Sequence, residues 1–131
     1  MMLFDSSAII NLCGERKIDK LLEGSTLDLA LYEVGNAVWR QVHIHRTITI
    51  DEGNTVLDTV TEVIKRLEKI EAENPLEILR IAVEEDLTYY DASYLHTAIG
   101  NSLTLVIDDQ KLYTAAKKHV ETMKSDEINS L

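Results

Sequence analysis

With one cysteine in 131 residues the chain can form no internal disulfide. Cys13 ends the mostly apolar run Ala8-Ile9-Ile10-Asn11-Leu12, so a buried structural thiol is expected there rather than a nucleophile. One proline and five glycines leave no flexible linker or low-complexity tract, which argues against a second domain and against disorder outside the ends. No apolar run approaches the roughly 20 residues of a membrane helix. Met1 to Phe4 lead directly into Asp5 instead of a signal-peptide core, so a cytoplasmic protein is expected. Cations are scarce as well: 13 Lys and Arg stand against 23 Asp and Glu, a formal net charge of -10. This balance disfavours an extended nonspecific nucleic-acid surface, because phosphate contacts need clustered Lys and Arg, but it does not exclude a metal-bridged contact.

What the chain does hold is a succession of short apolar runs and amphipathic stretches. Met2 to Phe4 reads as a strand passing into a helix that Ser6 would cap. A short helix is predicted over 16–23, with Ile18, Leu21 and Leu22 inward and Gly24 as its stop, followed by a strand over 26–29. Apolar residues at helical spacing predict helices over 30–45 and 51–70. Asn74-Pro75 and Thr88 resemble helix starts, predicting helices to about Glu85 and Gly100. Leu103 to Ile107 is apolar without alternation, as in a central parallel strand covered on both faces. A last helix over 112–120, an edge strand over 121–124 and a polar tail complete the chain. Strands alternating with helices predict an α/β fold: one domain over 1–131 with a central, mostly parallel sheet of four or five strands flanked by helices.

Within the helix over 30–45, Glu33, Asn36, Arg40 and His43 share a stripe, while Val34, Ala37, Val38 and Val42 occupy other sides. Such a stripe is ordinarily solvated, and a basic helix end such as Arg40 to Arg46 is favoured by the macrodipole alone. The remaining acids alter that reading. Asp5 and the pair Asp108-Asp109 each follow an apolar strand, at the carboxyl edge where open α/β sheets bind ligands. Glu33 and Asp91 stand near the starts of helices that begin at the same edge. Singly, each acid could be a helix cap or a turn acceptor. Gathered, they would repel by about 1 kcal/mol per pair at 4 Å even in water, so the cluster requires protons or cations. An all-oxygen donor set suits Mg2+ or Mn2+ rather than zinc, and no His lies at metal-site spacing from Cys13. No glycine-rich phosphate loop is present, and Ser6, Ser7 and Ser93 lack a nucleophile-elbow context. Metal-assisted phosphodiester cleavage fits the acids better.

Four segments, Asp5-Ser6-Ser7-Ala8-Ile9-Ile10, Tyr32-Glu33-Val34-Gly35-Asn36-Ala37, Tyr90-Asp91-Ala92-Ser93-Tyr94 and Val106-Ile107-Asp108-Asp109-Gln110-Lys111-Leu112, resemble in order and spacing those of the PIN-domain family, and more narrowly VapC-type toxins. The resemblance implies a PIN-like fold and a Mg2+- or Mn2+-dependent endoribonuclease, commonly a homodimer, restrained by a VapB-type antitoxin. Carried over by position, it implies Asp5, Glu33, Asp91 and Asp109 as catalytic, metal-holding acids, with Asp108 competing for the fourth place. Ile107 stands where the family usually shows Thr. Ser7 and Asn36 match positions that would orient the acids or a metal-bound water.

The basic groups nearest this site are Arg40, His43, Lys111 and Arg16, which are the candidates for phosphate contacts. The acidic balance suits a short single-stranded or loop RNA rather than a long duplex. The 51–70 helix has more apolar positions than a surface helix needs, serving either the core or a groove for an antitoxin helix or a dimer contact. A PIN-like binding or scaffold subunit without catalysis is the alternative; a receiver-like phosphoacceptor would require a further acid near the first strand.

Overall fold

Adjacent strand residues point to opposite faces of a sheet, and in β1 (Met2–Phe4) both Leu3 and Phe4 are fully buried. The sheet is therefore covered on both sides. The same holds for β4 (Thr104–Val106), where Leu105 and the following Ile107 join one core cluster and Val106 the other. The structure is a computed structural model describing residues 1–129. Three further strands, β2 (Ser25–Thr26), β3 (Glu68–Lys69) and β5 (Thr122–Met123), complete a five-stranded sheet in the order β3-β2-β1-β4-β5. Every pairing is parallel.

Helices α1 (Ser6–Gly14), α2 (Ile18–Leu21), α3 (Leu29–Trp39) and α4 (Ile50–Arg66) supply the core on the Phe4 side through residues such as Ile9, Leu21, Val34 and Ile64. Helices α5 (Pro75–Glu85), α6 (Tyr89–Asn101) and α7 (Gln110–Ala116) cover the Leu3 side through Ile78, Leu95 and Leu112. Local chemistry sets several of their starts. Thr49 and Glu52 form a reciprocal capping box at α4, the Asn74 side chain accepts the Glu77 N–H at α5, and the Thr88 hydroxyl accepts the Asp91 N–H at α6. Among the described residues no helix is long and apolar enough to cross a membrane.

Several boundaries differ from the sequence reading, each for an identifiable reason. Asp5, not Ser6, caps α1, its carboxylate accepting the Ala8 N–H at 2.9 Å. The 16–23 helix contracts to the four residues of α2, since Arg16 adopts a left-handed φ of 61° and Leu22 is exposed rather than inward. The strand expected over 26–29 is Ser25–Thr26, because α3 begins at Leu29. Beyond Trp39 the helix widens into a π-helical turn over Arg40–Ile44. The 51–70 helix stops at Arg66, where the Lys69 ammonium donates to the carbonyls of Ile64 and Leu67, and Glu68–Lys69 pairs as the unforeseen β3. The expected polar tail forms a 3-10 turn over Ser125–Asn129 with Ile128 buried, and residues 130 and 131 of that tail lie outside the described residues.

Gly24 precedes β2 where the strand passes close to β1. A Cβ there would lie 2.3 Å from the Phe4 ring and 2.9 Å from the Met2 carbonyl oxygen. Gly24→Ala is expected to destabilise the protein by about 1–3 kcal/mol, read as a lower urea midpoint at unchanged m-value.

Candidate active site

The strand order reverses direction between β1 and β4, and in open parallel sheets that switch point leaves a crevice outside the carboxyl ends of the strands. Asp5 emerges there, its N–H bonded to the Val106 carbonyl at 3.2 Å and its side chain only 4% exposed. The Ser7 hydroxyl donates to the Asp5 carboxylate, with contacts of 2.8 and 3.0 Å, and its oxygen lies 3.3 Å from the Asp108 N–H that donates to it. Ser7 thus links the ends of both strands at this edge. Glu33 reaches the crevice from α3, where the Tyr94 hydroxyl of α6 donates to it at 2.8 Å. Asp91 lies in the first turn of α6, and Asp109 stands at the N-cap of α7 without a capping hydrogen bond from its side chain.

The neighbouring Asp108 has a different environment. It accepts from the Asn11 amide at 2.6 Å, the Ser125 N–H at 2.8 Å and the Ser125 hydroxyl at 2.5 Å. Although burial opposes it, these donors hold its carboxyl below the usual range. Asp108 is engaged in joining α1 to Ser125, and Asp109 is the neighbouring acid whose charge acts on Asp91.

A groove of about 690 Å³ opens beside these groups, with Ser6, Glu33, Asn36 and Arg40 as its polar lining and Tyr32 and Tyr90 among its apolar residues. Asn36 shares the groove with Glu33, but among the described residues its amide bonds to none of the acids. His43 stacks on Trp39 with ring centroids 5.6 Å apart, away from the lining. Lys111 pairs with Asp86 at 3.3 Å, and its charge also favours ionised Asp91. Arg16 is not brought to the site: it follows the far end of α1, roughly 14 Å along the helix axis from the carboxyl edge. Sequence reasoning missed Tyr94, although its position three residues after Asp91 puts it on a neighbouring helical face. Ser125 was not recoverable by spacing, because only the tertiary fold brings it to Asp108.

Comparison with known proteins bears on what this arrangement belongs to. The chain is 34% identical over 122 residues to exonuclease VapC9 of Pyrobaculum aerophilum, spanning 91% of this chain and 88% of that protein. This chain belongs to the VapC-type PIN-domain family. A second relative, ribonuclease VapC3 of the same organism, is 36% identical over 101 residues, covering 74% of this chain and 75% of that protein. The crystal structure of PAE2754 from Pyrobaculum aerophilum superposes with a TM-score of 0.83 at 29% identity, covering 97% of this chain and 92% of the other. No family model matches the chain.

In this VapC-type chain three of the acids resist ionisation. Burial raises Asp5, against the donors Ala8 and Ser7, and the charges of Glu33 and Asp91 add to it, bringing the group up to about 7. Glu33 is raised by burial and by Asp91, with the Tyr94 hydroxyl opposing. Asp91 is raised by burial and by Asp109, opposed by Thr88 and Lys111. A bound cation would reverse these penalties, and an all-carboxylate donor set fits a hard divalent ion. Among the described residues no three acidic, His or Cys side chains converge tightly enough to enclose an ion alone.

A carboxyl raised on folding leaves the folded state holding a proton that the unfolded chain has released. In metal-free protein, stability contributed through Asp5 is therefore fully present below about pH 4 and declines until about pH 7. Asp5→Asn, which preserves the α1 cap, is expected to be more stable than the parent at pH 8 in EDTA by on the order of 2–4 kcal/mol, the difference vanishing near pH 4. Thermal melts of both proteins across that range check it.

Proposed function

We propose that this chain is a Mg2+- or Mn2+-dependent endoribonuclease, the toxin of a VapBC-type pair, acting in the cytoplasm as one PIN-like domain over 1–131. The observation that carries this reading is the placement of Asp5, Glu33, Asp91 and Asp109, from four separate elements, at the carboxyl edge of a VapC-type fold, near enough for Glu33 and Asp91 to act on Asp5 and for Asp109 to act on Asp91. The names of the relatives, an exonuclease and a ribonuclease, support hydrolysis of nucleic acid.

In this reading Asp5, Glu33, Asp91 and Asp109 hold the cation. When bound, a divalent ion lowers the pKa of a water and offsets charge on the scissile phosphate. Ser7 fixes the Asp5 carboxylate, Tyr94 orients Glu33, and Arg40 meets a phosphate along the groove. Lys111 is a second cation within reach of the acids, whereas His43 serves at most an outer contact and Arg16 none. Asn36 is placed to orient a water beside Glu33. Ile107, which stands in place of Thr, is wholly buried in the core and does not line the groove.

The partners follow from the exposed apolar surface. Trp39, Ile44, Ile50 and Val56 stand out on the α3 to α4 arm, in support of a VapB-type antitoxin segment docking there. Leu76, Leu79 and Val83 are 79%, 53% and 73% exposed along one stripe of α5, in support of a contact between two copies.

Purified protein is expected to cleave RNA with Mg2+ or Mn2+ and to stop when EDTA is added. Loss of an outer hydrogen bond at a metal site typically costs 10–100-fold, so Asp91→Asn, which removes a direct ligand, should cost at least about 100-fold at an unchanged circular-dichroism spectrum. Cleavage retained by Asp91→Asn and by Asp5→Asn would overturn the assignment.

A further inference from the structure

The chain has few aromatic residues, five Tyr with one Trp and one Phe, and their distribution is uneven. Phe4 and Tyr94 lie in the core, yet Tyr32 is 78% and Tyr90 57% exposed, and both line the groove that holds Glu33. They come from different elements, α3 and α6, and each directly precedes a site acid: Tyr32 before Glu33, Tyr90 before Asp91. Consecutive helical residues are turned by about 100°, so an acid directed into the site leaves the preceding ring at the lip of the groove. Tyr90 and Tyr89 also line an adjoining cavity of about 250 Å³.

Phosphate contacts alone are a poor source of affinity here. The net charge is -10, and Arg40 is the one cation among the residues lining the groove. Stacking of a base on an aromatic ring needs no positive charge and tolerates any base, but it requires a base whose face is free. Bases within a duplex have both faces covered.

We infer that Tyr32 and Tyr90 are stacking platforms for two unpaired nucleobases flanking the scissile phosphate. The inference rests on the ribonuclease reading and deepens it.

The test uses an RNA whose cleaved bond has been mapped with the full-length protein and Mg2+ or Mn2+, made again with an abasic residue on either side of that bond. Tyr32→Ala and Tyr90→Ala are each expected to raise KM from about fivefold to about a hundredfold with kcat little changed, while the Phe variants behave like the parent. Removing the base that a ring contacts should weaken the parent enzyme equally, and the matching Ala variant should lose nothing further on that substrate. Ala variants with parental KM would assign the exposed rings to a protein contact and overturn the inference while leaving the nuclease intact. Losses that multiply between Ala variant and abasic substrate would overturn it too. No cleavage of any RNA by the parent protein would overturn the nuclease reading itself, and this inference with it.

Discussion

Asp5 is held almost out of contact with water at the end of the central strand, with a backbone N–H and a serine hydroxyl as its partners. A carboxylate buried without such donors would cost several kcal/mol, and even with them it is reluctant to ionise. Much of the site can be traced to this residue. The same carboxylate starts α1, so the cap that begins the helix also points the acid at the crevice. Ser7, in the first turn of that helix, serves both Asp5 and the amide of Asp108 and so ties the first strand to the fourth. The cap of α1 and the edge of the candidate site share these few atoms, so reading Asp5 as a turn acceptor does not compete with placing it at the crevice.

The acids were legible in the sequence because each stands at a change of pattern: apolar strand to polar turn, or turn to apolar helix. Parallel topology converts such changes into proximity, since every strand ends and every following helix begins at one edge. Boundaries were less legible. β3 consists of Glu68 and Lys69, residues with no strand character, and only the carbonyls and amides of β2 explain their conformation. The choice between Asp108 and Asp109 also lay beyond spacing, because Asn11 and Ser125, which engage Asp108, are distant in the chain. Arg16 was grouped with the site by its nearness in sequence to Asp5, but a helix carries its two ends to opposite edges of the sheet.

Acidity and exposure now read together. A protein with so few cations presents aromatic and aliphatic side chains instead, on the lip of the groove, along the α3 to α4 arm and down one stripe of α5. The first of these surfaces adjoins Glu33 and combines polar and aromatic groups. The other two are mainly aliphatic, as expected where a helix rather than a nucleotide is met.

The link between Ser7 and Asp108 spans 101 positions, and the strands it joins are the two at the centre of the sheet. On a ribosome adding roughly 5–20 residues each second, the first strand therefore waits for several seconds before its partner is even translated. Until then the strand that ends at Asp5 can pair only on its β2 side, and Glu33 has no Tyr94 to hold it. The carboxyl edge of the sheet is therefore assembled only after most of the chain has been made.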